Sequence, residues 1–198
     1  MIPQLKIILP QPGFAGFASL LQHGILIPLD RPVVMLSLLV SLPGFTAAYI
    51  EKTVQTIFIN GVAADRLDRL LSAGQTLALS AAMPGLAGAI FRRQGIHGSL
   101  RSQPQAVAVP EPTAAGYLIL KLFNSIALDR VEDLLTAGIL INGKAFCDFA
   151  ARRGPLFQSP TQLMLDNRAL AWAELPATVA GIPVLGLRVG QPSAAPLR

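Results

Sequence analysis

The chain has 198 residues, of which 52% are hydrophobic and 14% charged, with a formal net charge of +5. That length and apolar content bury a core readily, as one large domain or two small ones, and exclude wholesale disorder. The single cysteine, Cys147, excludes an internal disulfide, and His23 and His97 are too few for an ordinary zinc site.

In chain order, Lys6 to Leu9 reads as a short buried strand. Pro12-Gly13-Phe14 leads into a helix reaching His23, which Gly24 stops. Ile25 to Leu29 is the next strand, and Asp30-Arg31-Pro32 turns the chain. Val33 to Leu42 reads as a long apolar strand. Pro43-Gly44-Phe45 opens a second helix over Thr46 to Gln55. Thr46 is its N-cap, and Ala47, Ile50 and Val54 share one face.

Thr56 to Ala63 is a strand ending at a turn, with Ile57 and Ile59 on one face, Phe58 on the other, and Asn60-Gly61 as the turn-forming pair. Asp65 suits an N-cap, and Leu67, Leu70 and Leu71 recur at helical spacing until Gly74. Thr76 to Ala82 is another strand, broken by Pro84-Gly85, after which Ala89-Ile90-Phe91 reads as the start of a helix.

Ser102 to Ala115 has three prolines and one charge, the composition of a linker. Tyr117 to Phe123 is then a strand. Leu128 to Ala137 is a helix with Val131, Leu134 and Leu135 inward, stopped by Gly138, and Ile139 to Ile141 is a strand. Arg152 to Pro160 is irregular. Gln162 to Leu165 and Ala169 to Leu175 form a hairpin around Asp166-Asn167, Pro183 to Val189 is a last strand, and a loose tail follows.

Strand, Pro-Gly-Phe, helix and strand occurs at Pro12 and again at Pro43, with a weaker version from Pro84. Met35 to Val62 also matches Tyr117 to Lys144 without gaps, at a spacing of 82, and both segments end in Ile-Asn-Gly. Both read as strand, turn, helix, strand. Duplication and shared topology explain this equally well.

The order strand, Asn-Gly, polar crossing with a glycine, strand and glycine-rich end over Thr56 to Ala89 resembles the C-terminal half of ubiquitin-like sulfur carriers. The small subunit of molybdopterin synthase and the thiamine sulfur carrier are of this kind. The resemblance covers residues 46–89 and implies a β-grasp module, with Thr46 to Gln55 where that fold has its long helix. Carrier chemistry needs a free C-terminal Gly-Gly, whereas Gly85 and Gly88 are internal and the chain ends Ala-Pro-Leu-Arg. The resemblance thus implies the fold but not the carrier activity, unless proteolysis exposes a glycine.

These readings make an α+β protein with β-grasp-like modules and internal strand–helix–strand repeats. Residues 1–101 form a β-grasp-like unit with an N-terminal extension, 102–115 a linker, 116–190 a second α+β unit and 191–198 a tail.

No catalytic constellation emerges. Cys147 has no histidine near it in sequence and reads as a small buried hydrophobe. Asp65 and Asp68 neighbour Arg66 and Arg69. Asp129, Glu132 and Asp133 crowd what reads as the first turn of a helix, where its dipole favours them. Pro84 to Ala89 lacks the third glycine of a dinucleotide fingerprint, and no Walker lysine is present. No metal or cofactor is implied.

Arg92 to Arg101 carries three arginines, one histidine and two glycines, so Arg92, Arg93 and Arg101 are the candidate anion site. A solvated helix end is the plainer alternative. Arg152-Arg153 is a second basic pair. Residues 1–110 hold eight basic and four acidic residues against eight and seven beyond, an excess too small to call for nucleic acid, and no aromatics interleave the arginines.

Ile7 to Leu29, Val33 to Ile50 and Leu70 to Phe91 lack Asp, Glu, Lys and Arg, but each contains a Pro-Gly pair or many small polar residues. Buried strands and turns explain them better than membrane spans. The start of the chain is a poor signal peptide, so a cytoplasmic address is expected. The expected role is a non-catalytic binding or assembly module with a protein partner or a second copy. A small-molecule or anion binder, or an enzyme with a site near Arg92, Arg93 and Arg101, is the alternative.

Overall fold

In the computed structural model, which describes residues 1–10, 13–83, 85–93, 95, 116–157 and 161–191, the chain is mixed α+β. It runs β1 (Gln4–Ile8), a 3-10 turn into α1 (Ala18–His23), β2 (Ile25–Leu29), β3 (Val33–Val34), α2 (Met35–Val40), α3 (Ala47–Thr53), β4 (Thr56–Ile59), β5 (Val62–Ala63), β6 (Leu70–Leu71) and β7 (Thr76–Ser80). There follow α4 (Gly85–Phe91), β8 (Gly116–Phe123), α5 (Asn124–Ala137), β9 (Ile139–Ile141), α6 (Gly143–Arg152), β10 (Gln162–Leu165), β11 (Arg168–Ala169), α7 (Leu175–Val179) and β12 (Leu185–Gly190). Contacts divide the chain into Met1–His23 with Val131–Arg198, and Gly24–Arg130. Residues 102–115 of the expected linker and 192–198 of the expected tail lie outside the described residues.

In the Gly24–Arg130 unit the main sheet has the order β2-β8-β7-β4-β5. Only β7 and β8 are parallel. Its period-two pattern follows from the residues. Ile57, Leu77, Leu79, Leu118, Leu120 and Leu122 are fully buried on one face, with Ile57 opposite Leu79 and Leu77 opposite Leu120. Asn60 and Gly61 have φ of 51° and 79°, the pair of positive angles that a two-residue hairpin between β4 and β5 demands. Thr46 caps α3 by accepting from the Tyr49 N–H at 3.1 Å, and Ile50 and Val54 are buried, whereas Ala47 is exposed.

Two readings of this unit are overturned. Val33 to Leu42 is not one long strand: only Val33–Val34 is extended, and Met35–Val40 is helical. Met35, Leu38 and Leu39 are buried at i, i+3 and i+4 while Val40 faces out, and Met and Leu are strong helix formers. Asp65 to Leu71 is not helical either. Its backbone is spent on the preceding segment, with Met35 N–H donating to Arg69 O at 2.9 Å and Leu36 N–H to Leu67 O at 3.0 Å. Leu70 and Leu71 pair with Val34 and Val33, so that Leu71 is buried and its neighbour is not. One or two turns of leucine spacing cannot outweigh the cost of nucleating a helix when a strand partner is available.

α5 begins at Asn124, one turn earlier than its leucines announce, so Asp129, Glu132 and Asp133 lie in later turns and the dipole does not account for them. Asp129 instead accepts from the Tyr49 hydroxyl at 2.9 Å, and the Arg130 guanidinium lies 4.2 Å from the Tyr49 ring centroid. Arg130 also donates to the Gly44 carbonyl. Burial, aided by the Asp129 carboxylate, pushes the Tyr49 phenol up to about 12. Because the folded value is raised, this contribution to stability is complete below the unfolded value of about 10 and is lost as pH rises towards 12. Absorbance titration is expected to show a tyrosine ionising near 12 that Asp129→Asn moves down.

Gly88 lies in α4 where a Cβ would stand 1.8 Å from the Met83 carbonyl oxygen. Gly88→Ala is therefore expected to destabilise by about 1–3 kcal/mol in urea titrations, since backbone rather than a flexible side chain must move.

In the Met1–His23 and Val131–Arg198 unit the sheet order is β11-β10-β1-β12-β9, and only β1 and β12 are parallel. The expected hairpin forms at Asp166-Asn167, with φ of 48° and 66°. Its second arm stops at Ala169, which corrects the reading of a strand to Leu175. Ala171 N–H is taken by the Glu174 carboxylate at 3.2 Å, and Pro176, unable to donate to a ladder, sits in the first turn of α7. The helix α6 went unread. Asn142 caps it by accepting from Ala145 N–H at 3.1 Å, and Phe146, Phe149 and Ala150 are buried.

The paired segments at the 82-residue spacing differ at both ends. Met35–Val40 is helix where Tyr117–Phe123 is strand, and Asn60 is in a turn where Asn142, with φ −78°, is an N-cap. Only helix followed by strand is common to them. Pro12 of the first Pro-Gly-Phe, and Pro84, where the weaker version begins, lie outside the described residues.

Candidate functional site

The candidate arginines are built into different situations. Arg93 follows α4, and its backbone N–H donates to Gln55 O at 2.7 Å. Its side chain is only 7% exposed. The guanidinium donates to Val54 O at 2.9 Å and Asp65 O at 3.3 Å, and meets the Glu51 carboxylate at 3.4 Å. Arg92 is exposed and donates from Nε to the Gln55 side chain at 2.9 Å. Arg101 and His97 lie outside the described residues. Arg93 thus clamps the end of α3 to the 65–71 loop. Arg93→Met is expected to lower stability by about 1–3 kcal/mol in urea titrations, because two backbone acceptors and a carboxylate lose a charged donor.

A depression of about 380 Å³ opens beside this clamp. Val34, Leu36 and Leu67 supply its apolar lining, and Glu51, Asp65, Arg66, Asp68 and Arg93 surround them. Arg66 is paired with Asp68, whose carboxyl is held below its usual range by that hydrogen bond. Three carboxylates face two guanidiniums here, so an anion gains little.

The apolar lining continues onto the surface. Val34 and Leu70 are cross-strand partners on the β3–β6 ladder, and both are exposed, Val34 at 36% and Leu70 at 62%. Sequence reasoning missed this patch because it placed Val34 in a buried strand and Leu70 on a helix. The alternation of Leu70 and Leu71 beside a Val-Val pair was the available signal.

Cys147 is half-buried on α6, with its sulfur 3.9 Å from the Leu175 carbonyl. Burial, reinforced by the Asp148 carboxylate, raises its thiol above the ordinary value. That disfavours a thiolate nucleophile. Arg152 meets His23 Nε2 at 3.3 Å and Arg153 donates to Ser19 Oγ at 3.3 Å, which ties the end of α6 to α1.

Among the described residues no three His, Cys, Asp or Glu side chains are grouped to hold a metal, and no helix is long and apolar enough to cross a membrane. Val33 to Ile50 is divided among β3, α2, a turn and α3. Comparison with protein-family models, with curated proteins and with solved structures returned no match.

Proposed function

We propose that this protein is a non-catalytic binding or assembly module that acts in the cytoplasm through protein–protein contacts, with the Val34–Leu70 ladder as its contact surface. The observation that carries this is the exposed apolar Val34–Leu70 pair, with Val34 also lining the depression that Arg66, Asp68 and Glu51 share, so that an apolar patch stands next to charged groups as in an interface core and its polar border. The anion-site alternative is less well supported, because Arg93 is committed to Val54, Asp65 and Glu51.

We read the Gly24–Arg130 unit as β-grasp-like. The supporting order is α3, β4, the Asn60-Gly61 turn and β7, with β4 and β7 antiparallel in one sheet. Sulfur-carrier activity is not part of the proposal: Gly85 and Gly88 are within α4, and Gly88 packs against the Met83 carbonyl. Intact-mass measurement on protein from its native host is expected to find no form ending at either glycine.

The test is association. Val34→Lys combined with Leu70→Glu keeps a favourable cross-strand pair while removing the apolar surface. Light scattering of the purified chain and pull-down from native lysate are expected to find a second copy or a partner protein with the wild type and to lose it with the double variant. A wild-type chain that is strictly monomeric and brings down no partner would sink the reading.

A further inference from the structure

The outer face of the Gly24–Arg130 sheet is more closed than a solvated sheet face. Three rows cross it. Thr56 on β4 stands beside Ser80 on β7 and Phe123 on β8, the next row is Phe58, Ala78 and Lys121, and Thr76 and Ile119 follow. The floor at Ala78 and Ser80 is therefore made of small residues, while Phe58 and Phe123 rise one row apart from the strands on either side, which are themselves about 10 Å apart at two strand spacings. Phe58 is backed by Phe91 of α4, with ring centroids 5.3 Å apart, and Met83 adds a further apolar wall.

This trough is a cleft of about 450 Å³. Clefts that hold small molecules run from about 300 to 1,000 Å³. No charged side chain is among the described residues lining it, so a charged ligand would give up water without an ion pair from the lining.

Ser80 and Asn124 put polar groups at one end, and Thr76 stands at the other. Asn124 Nδ2 lies 2.7 Å from Ser80 Oγ, which leaves the serine proton to give and the Asn124 carbonyl to receive. Rotating the amide exchanges the two roles and again leaves one donor and one acceptor. The Thr56 hydroxyl, in register with Ser80, is buried beneath this end without a partner among the described residues and does not line the cleft.

We propose that this cleft binds a small uncharged molecule with a flat apolar body and an amide-like edge, the body between Phe58 and Phe123 and the edge against Ser80 and Asn124. The site uses none of the residues of the Val34–Leu70 surface and does not depend on it.

Three probes of one shape test this by NMR titration of backbone amides: naphthamide, naphthoate and naphthalene. Naphthamide is expected to shift the resonances of Ala78, Ser80 and Phe123, with naphthoate at least about tenfold weaker because its charge would be buried unpaired. Ser80→Ala should reduce the preference for naphthamide over naphthalene, and Ala78→Phe should abolish binding by filling the floor. If Ala78→Phe loses its fold, Thr76→Tyr, at the half-buried edge of the cleft, makes the same test. No shifts with any probe, equal binding of naphthoate, or binding that survives the filled floor would each overturn the proposal.

Discussion

Phe149→Ala is expected to cost about 3–5 kcal/mol, among the largest effects of a single substitution here. Phe149 is 2% exposed and lies in an aromatic cluster with Phe17, Phe146 and Phe157, at centroid distances of 5.6, 6.3 and 6.3 Å. Removing its ring withdraws edge and tilted contacts from three neighbours at once, and rings held by α6 and two 3-10 turns cannot all move to fill the space. Trp172, the one tryptophan, stacks on Phe157 at 4.4 Å and reports directly on the cluster. Its fluorescence in a urea titration should show the midpoint falling steeply for Phe149→Ala and much less for Phe149→Leu. A loss under about 1 kcal/mol for the alanine variant would mean that the cluster is not packed as described.

Gly143→Ala is expected to be costly, at about 3 kcal/mol or more. A Cβ there would lie 2.1 Å from the Val179 carbonyl oxygen and 2.8 Å from that of Ile182, while the Gly143 N–H donates to Ile182 O at 2.9 Å. α6 cannot back away without breaking that bond. Gly61, the glycine of the other Ile-Asn-Gly, has nothing within 4 Å of the same position but a φ of +79°. Gly61→Ala should therefore cost only the strain of a left-handed alanine, about 1 kcal/mol. Equal losses for the two variants in thermal melts would contradict this division.

The sequence by itself determined the elements whose signals are local. Ile25–Leu29 and Ile139–Ile141 are strands with the bounds read from their apolar runs, because a short buried strand needs only that run and a stop on each side. Thr46 as an N-cap and Asn60-Gly61 and Asp166-Asn167 as turns were equally legible, since capping and positive φ depend on one or two side chains.

What only the tertiary structure decided depends on a partner distant in sequence. Leucine spacing at 67, 70 and 71 fits a helical turn, yet Val33–Val34 offers a ladder, and that pairing sets the backbone and turns Leu70 outward. Arg93 looked like a cation available to a ligand, and its acceptors at Val54 and Asp65 come from separate stretches of chain. The cleft over Ala78 and Ser80 exists because β8 lies parallel to β7 and carries Phe123 to the far side from Phe58. Strand order of that kind is fixed by which apolar faces can be buried together, a sum over the whole sheet that no single stretch of sequence contains.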